Sequence, residues 1–283
     1  MPDTSVALES MPMRHVILNC GVPPLQAAES HSLSAIPTRT ELKIINTICK
    51  EVLPEDPTPS LDEIAASPNV AHLGAPGPAP QLIDDPLRLI VHGTDAALAA
   101  VLTRLMRIDA LWAEVAFIPS EESTVAQAWG LPKEKEFAFE APVKPKPLIR
   151  DDAGQAVAHS ATISDWDGRE ITGEIIVDDT VLLHHSARTR NPRKGQYGAR
   201  LISTFDAPGI EGNRILSSEH PGGFWQKVLP VAPSLIDATA HQGRAMQAGG
   251  VNLRITIDGQ SRKRPVERAT FYRHLRDLQA VRA

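Results

Sequence analysis

The sequence predicts a chain in two parts, an α/β half built on a parallel sheet followed by a half that is mainly antiparallel β. Between residues 14 and 132 short apolar runs alternate with segments whose apolar residues recur at helical spacing. A charged, proline-rich stretch, "KEKEFAFEAPVKPKPLIRDD", then breaks the pattern, and beyond it the segments are β-rich and punctuated by turn signals. These observations divide the chain into residues 1–140 and 141–283, and a length of 283 residues exceeds one average domain.

"RHVILNC", residues 14–20, is apolar enough for a buried first strand, and a loop rich in Pro and Ser follows it to about Pro37. In "TRTELKIINTICKEVL" the residues Leu42, Ile45, Ile48 and Leu53 recur at near-helical spacing and Pro54 closes the segment. Ser60 and Glu63 form a capping-box pattern for a further short helix. The Pro- and Gly-crowded residues 67–86 read as a surface loop.

"LRLIV" is the next strand. The helix after it carries Leu98, Val101, Leu102, Leu105 and Met106, the most strongly patterned stripe in the chain. "EVAFIP" is another strand, and "SEESTVAQAWGLP" a short helix ended by Gly130 and Pro132. Strands and helices in this order predict a parallel sheet covered on both faces.

From about residue 148 to 270 the reading is an antiparallel β domain. "REITGEIIVDDTVLLHHS" is a hairpin turning at Asp178 and Asp179, and "ARLISTFDA" and "NLRITIDG" are further strands, the second closing on an Asp-Gly turn.

A net charge of −5 supplies no basic field for DNA or RNA, so nucleic acid is not an expected partner. Cys20 and Cys49 sit in no CxxC or Cys/His cluster and read as reduced thiols. No signal-peptide pattern and no run of about 18 apolar residues occurs, which predicts a cytoplasmic protein. A peripheral contact with a membrane surface and a homodimer stay open.

An open α/β sheet holds its ligands at the carboxyl ends of its strands, where helix N-termini present unpaired N–H groups to anions. Two such corners occur, "VHGTDA" and "IPSEEST". Phosphate cradles usually need glycine for positive φ and close backbone approach, yet the first corner has only Gly93 and the second has none.

Together with "GTDAALAAVLTRL", "VAFIPSEESTVAQAWGLP" and the C-terminal "DGQSRKRPVERATFYRH", these corners resemble the diacylglycerol kinase catalytic family, relatives of sphingosine kinases and more remotely of NAD kinases. The resemblance spans about residues 14–283. It implies a diacylglycerol kinase/NAD kinase-like fold, with a nucleotide-binding-like α/β domain, a β-sandwich-like substrate domain and a C-terminal segment returning to the first domain. The family carries GGDGT, IPxGTGNDFARxLGLP and a later DGE. Gly93 and Asp95 match its first glycine and its aspartate, but Thr94, Ala96 and Ala97 stand where it has glycine, glycine and threonine. Ser120, Glu121, Glu122 and Ser123 occupy the GTGN position, and Gln260 replaces the acid of DGE after Asp258 and Gly259. "FDAPGIEG", with Asp206, is the nearest phrase to the family's Gly-x-Asp-Ala segment, in the wrong order.

A carboxylate about 4 Å from a phosphate charge costs roughly 4 kcal/mol per pair at an effective dielectric near 20. Glutamate at a helix N-terminus is instead favourable by about 0.3 to 1 kcal/mol, so Glu121 and Glu122 are expected to fill the place a phosphate would take. A neutral Gln260 amide neither acts as a base nor holds magnesium comparably.

Two readings follow. One is a catalytically impaired pseudokinase that binds a lipid-like or phosphorylated ligand, or a partner protein, in the interdomain cleft. The other is an active ATP-dependent lipid kinase of diacylglycerol or sphingosine type, or more remotely an NAD kinase, with ATP and magnesium as cofactors. In the second, Gly93, Thr94, Asp95, Ser120 and Ser123 contact nucleotide, whereas the plainer role of Asp95 is a helix cap. His92 and the pair His184 and His185 offer no joint metal site, because neighbours on a strand face opposite ways. Arg188, Arg190, Arg193, Lys194 and Arg200 form a basic loop suited to an anionic headgroup or a solvated surface. Phe224 and Trp225 suit a lipid or partner contact, or a packing anchor. No GxSxG elbow supports a hydrolase.

Overall fold

A computed structural model describes residues 13–25, 27–54, 74–79, 86–186, 196–217 and 236–283. The Ser60 capping box, the basic residues 188–194 and the aromatic pair at 224–225 lie outside the described residues.

The first half is a five-stranded parallel sheet. Its strands are β1 (Arg14–Cys20), β2 (Ser30–Leu33), β3 (Leu87–Gly93), β4 (Glu114–Pro119) and, from the far end of the chain, β16 (Gln279–Ala280), in the order β16-β4-β3-β1-β2. All seven residues of β3 and the last five of β1 are buried, as a central parallel strand covered on both faces demands. Helices α1 (Lys43–Val52) and α2 (Asp95–Arg107) pack on one face, and the short α4 (Glu136–Glu140) on the other. The predicted α2 stripe is wholly buried, and Arg104 and Arg107 in its last turn favour the negative end of the helix dipole. Arg88, 4% exposed on β3, is paired with Glu114 at 2.7 Å and donates to the carbonyls of Ala138 and Phe139, fixing α4 to the sheet.

The second half is an eleven-stranded antiparallel sheet that folds over its own apolar core. It comprises β5 (Ile149–Asp151), β6 (Ala156–Val157), β7 (Ser160–Asp165), β8 (Thr172–Val177), β9 (Thr180–His185), β10 (Gly198–Ser203), β11 (Ile210–Ile215), β12 (His241–Gly243), β13 (Ala245–Ile257), β14 (Gln260–Ser261) and β15 (Val266–Arg273). The thirteen-residue β13 pairs with β8 through its first half and β7 through its second, and the register breaks between Gly249 and Leu253. The 178–179 hairpin forms with Asp178 at φ 48° and its carboxylate on the N–H groups of Arg244 and Ala245.

Two readings of the sequence need correction. The loop after β1 contains an edge strand, β2, whose alternating exposed residues "SHSL" carry no apolar signal. The charged stretch after Pro132 contains α4 and β5. Between these, the chain crosses from one half to the other beside its own C-terminal segment: Val143 bridges Val281, Lys146 bridges Leu278, and β16 joins the edge of the first sheet at β4.

Candidate functional site

The crevice between β1 and β3, from which the chain continues towards opposite edges of the sheet, to β2 and to β4, is the expected ligand point of such folds. Here it is closed by packing. A Cβ built on Gly93 would lie 2.9 Å from Cys20 Cβ, 3.1 Å from Cys20 O and 3.3 Å from Ala97 Cβ, so Gly93 serves close strand-to-strand contact. Its φ lies outside the positive region, so the glycine is not used for a phosphate-cradling bend. Thr94 then caps α2, its hydroxyl accepting from Ala97 N at 3.3 Å.

Asp95 looks outward from this corner and into the next. The second corner ends β4 and opens α3 (Thr124–Ala128), with Ser123 as N-cap accepting from Ala126 N at 2.8 Å. The carboxylate of Asp95 accepts from Thr124 N at 3.1 Å, Thr124 Oγ1 at 3.0 Å and Val125 N at 3.3 Å, and takes a hydrogen bond from Ser123 Oγ. An anion does occupy the α3 N-terminus, but it is Asp95. Glu121 and Glu122 are exposed at the rim with Ser120, and among the described residues neither makes a hydrogen bond to the helix, which corrects the expectation that they fill it. Their alternative is full hydration, whereas Asp95 reaches donors already ordered by two turns.

The backbone donors that open α3 are thus satisfied internally, Thr124 N and Val125 N by Asp95 and Ala126 N by Ser123. A phosphate charge about 4 Å from Asp95 would meet roughly 4 kcal/mol of repulsion per pair at an effective dielectric near 20. The Asp95 oxygens are engaged by Ser123, Thr124 and Val125, and the carboxylates left exposed at this corner are those of Glu121 and Glu122.

Below the corners lies a buried polar knot that no local pattern announced. Asp258, at φ 45°, accepts from the N–H groups of Ala158, His159 and Ser160 at 2.7, 2.9 and 2.9 Å. Lys146 is fully buried, donates to Ala158 O at 3.2 Å and Ser203 Oγ at 3.0 Å, and lies over the rings of Trp129 and Phe205. Burial pushes Lys146 down to about 7 and Asp258 up to about 6. His159 is held down to about 4 by burial first and then by the nearby Arg200 and Lys146 cations, against a raising pull from Asp95. Asp258, read as the surviving half of a catalytic motif, is an anchor for the backbone between β6 and β7.

Gln260 lies elsewhere, on the wall of the cleft between the halves. This cleft, of about 360 Å³, has an apolar floor from Ala96, Ala99 and Ala100 of α2 with Ile36 and Pro37, and Gln155 and Gln260 face them from the second half. Arg39, Arg104 and Arg107 stand at its rim and no Asp or Glu lines it among the described residues. Arg104 donates to Asn46 at 2.8 Å and Arg107 to the carbonyls of Gly154 and Ala153, so these guanidinium charges face neutral acceptors. Arg104 and Arg107 look in sequence like ordinary last-turn cations, and Gln155 carries no signal at all.

The remaining candidates lie apart. His92 meets Asn19 Oδ1 at 3.1 Å, His184 meets Glu174 at 3.2 Å, and His185 meets Ile171 O at 2.7 Å. Asp206 is exposed in the turn before β11. Among the described residues no three His, Cys, Asp or Glu side chains converge as a metal site, and no helix is long and apolar enough to cross a membrane.

Fold and site together define a two-domain α/β plus antiparallel-β protein with a cleft between the halves. No protein-family model matches the chain, and no curated protein matches it in sequence. Among solved structures, a diacylglycerol kinase from Bacillus anthracis strain Sterne is similar at TM-score 0.53 and 11% identity, over 96% of this chain and 97% of that one. The NAD kinase of Archaeoglobus fulgidus in complex with ATP aligns over 94% and 92% at TM-score 0.39 and 14% identity. Yeast NADH kinase complexed with NADH aligns over 96% and 84% at TM-score 0.42 and 10% identity. The chain has the diacylglycerol kinase fold.

Proposed function

We propose that this protein binds an anionic amphipathic small molecule in the cleft between its halves and does not transfer phosphate. The observation that carries this reading is the Asp95 carboxylate seated on Thr124 N and Val125 N, where a kinase of this fold would need room for a phosphate. Phosphoryl transfer depends on positioning and charge neutralisation, and the corner offers the transferred group a carboxylate instead. The adjoining cleft supplies the opposite chemistry, an alanine floor for an apolar body and three arginines for an anionic head.

Calorimetric titration of the full chain with ATP and magnesium tests the first half of this reading. A flat trace is expected, and saturation at submillimolar ATP would overturn it in favour of an active lipid kinase. Titration with dioctanoyl phosphatidate tests the second half. Saturable binding weakened by Arg39→Gln is expected, while binding indifferent to that substitution would remove the cleft from the proposal.

A further inference from the structure

A second cavity lies wholly within the β domain, on the face of the sheet away from its apolar core. In antiparallel strands alternate residues share a face, and here Arg254 sits opposite Ser164 in the register of β13 and β7, with Thr256 two residues further along. The other face of the same strands carries Leu253, Ile255, Ile257, Ala161 and Ile163, all buried in the core. The polar face encloses about 210 Å³, to which Tyr197, Ser217 and Ser261 also contribute.

Arg254 is the unusual member. Its guanidinium stacks 5.0 Å above the Trp166 ring and donates through Nη2 to Trp166 O, which holds it in place. No carboxylate pairs with it among the described residues, and its Nε is buried without a partner. Ser217 Oγ, on the same cavity wall, is also buried and unpartnered. Sheltered donors left without acceptors are costly, and a fixed guanidinium without a counter-charge more so. The carboxylate nearby, Asp165, accepts from the N–H groups of Asp167 and Arg169 and lies 3.7 Å from Arg169 Nε, so that pair is close to neutral and Arg254 sets the charge of the cavity.

We infer that this cavity is a binding site for a small oxyanion, a phosphate carried as the free ion or as the monoester of a short polyol, held by Arg254 Nε and the Ser217 hydroxyl. Guanidinium and hydroxyl donors match the acceptor-only oxygens of a phosphate. The volume exceeds that of the ion and leaves room for a few hydroxylated carbons near Ser164, Tyr197 and the Thr256–Ser261 hydroxyl pair, whose oxygens lie 2.7 Å apart. The site shares no residue with the cleft between the halves.

Titration of the full-length ¹⁵N-labelled chain with inorganic phosphate and, separately, glycerol 3-phosphate tests it, read at the arginine Nε–H resonances. Saturable movement of the Arg254 signal is expected, with affinity reduced at least about tenfold by Arg254→Gln, as loss of a charge-assisted hydrogen bond implies, and unchanged by Lys50→Gln on α1. Tighter binding of the ester identifies the monoester as the ligand, and equal or weaker binding identifies the free ion. If Arg254→Gln fails to fold by circular dichroism, Ser217→Ala decides, with weaker binding expected. No saturation below about 10 mM for either anion, or affinity indifferent to both substitutions, overturns the assignment.

Discussion

The corners that end β3 and β4 begin alike, each a buried strand turning into a helix through a hydroxyl N-cap, Thr94 in one and Ser123 in the other. They then diverge. The first is sealed by backbone packing around Gly93 and needs nothing from outside, whereas the second is completed by a side chain sent across from the first. The difference teaches that a strand-to-helix corner can be completed in two physically distinct ways, by filling the space and by supplying the charge. A carboxylate that caps its own helix contributes about 1 kcal/mol, but one that links two corners joins the loops into a single unit.

Breaking the link should have the largest effect. Asp95→Ala leaves the donors of Ser123, Thr124 and Val125 without their acceptor and is expected to cost about 3 kcal/mol in chemical denaturation, while the same substitution at a simple cap costs about 1. Gly93→Ala forces its new methyl against Cys20 and is expected to cost about 2 kcal/mol by overpacking, measured in the same way, with the Asp95 contacts kept. Thr94→Ala removes one bond, to Ala97 N, and is expected to lower stability by about 1 kcal/mol. The smallest effect is on His159, whose proton affinity Asp95 raises. Asp95→Asn should move the His159 titration, followed by NMR, further below its value of about 4. Because burial depresses the folded value below 6.5, the contribution of His159 to stability is complete above pH 6.5 and drains away as pH falls towards 4.

Much of the first half is legible because its signals are local. The apolar runs of β1, β3 and β4 and the stripe of α2 each fit within a dozen residues, and burial follows them. β2 escapes because an edge strand with solvent on it needs no apolar residues, and α4 because its anchor is Arg88, some fifty residues away. The candidate site divides the same way. Thr94 and Ser123 are readable as caps from the residues after them. The partners of Asp95 lie 28 to 30 residues downstream, and those of Asp258 about a hundred upstream. Such pairs exist only once the sheets are assembled, so nothing in "IDGQ" announces that Asp258 holds three backbone N–H groups.

The strand β16 has a consequence for biosynthesis. The outer edge of β4 is paired by residues 279 and 280, which leave the ribosome after every other strand of both sheets. During translation the first domain therefore carries an open, largely apolar β edge for as long as the whole β domain takes to emerge. A nascent chain stalled after β4 has emerged but before residue 279 would display that edge to neighbouring chains on the same polysome.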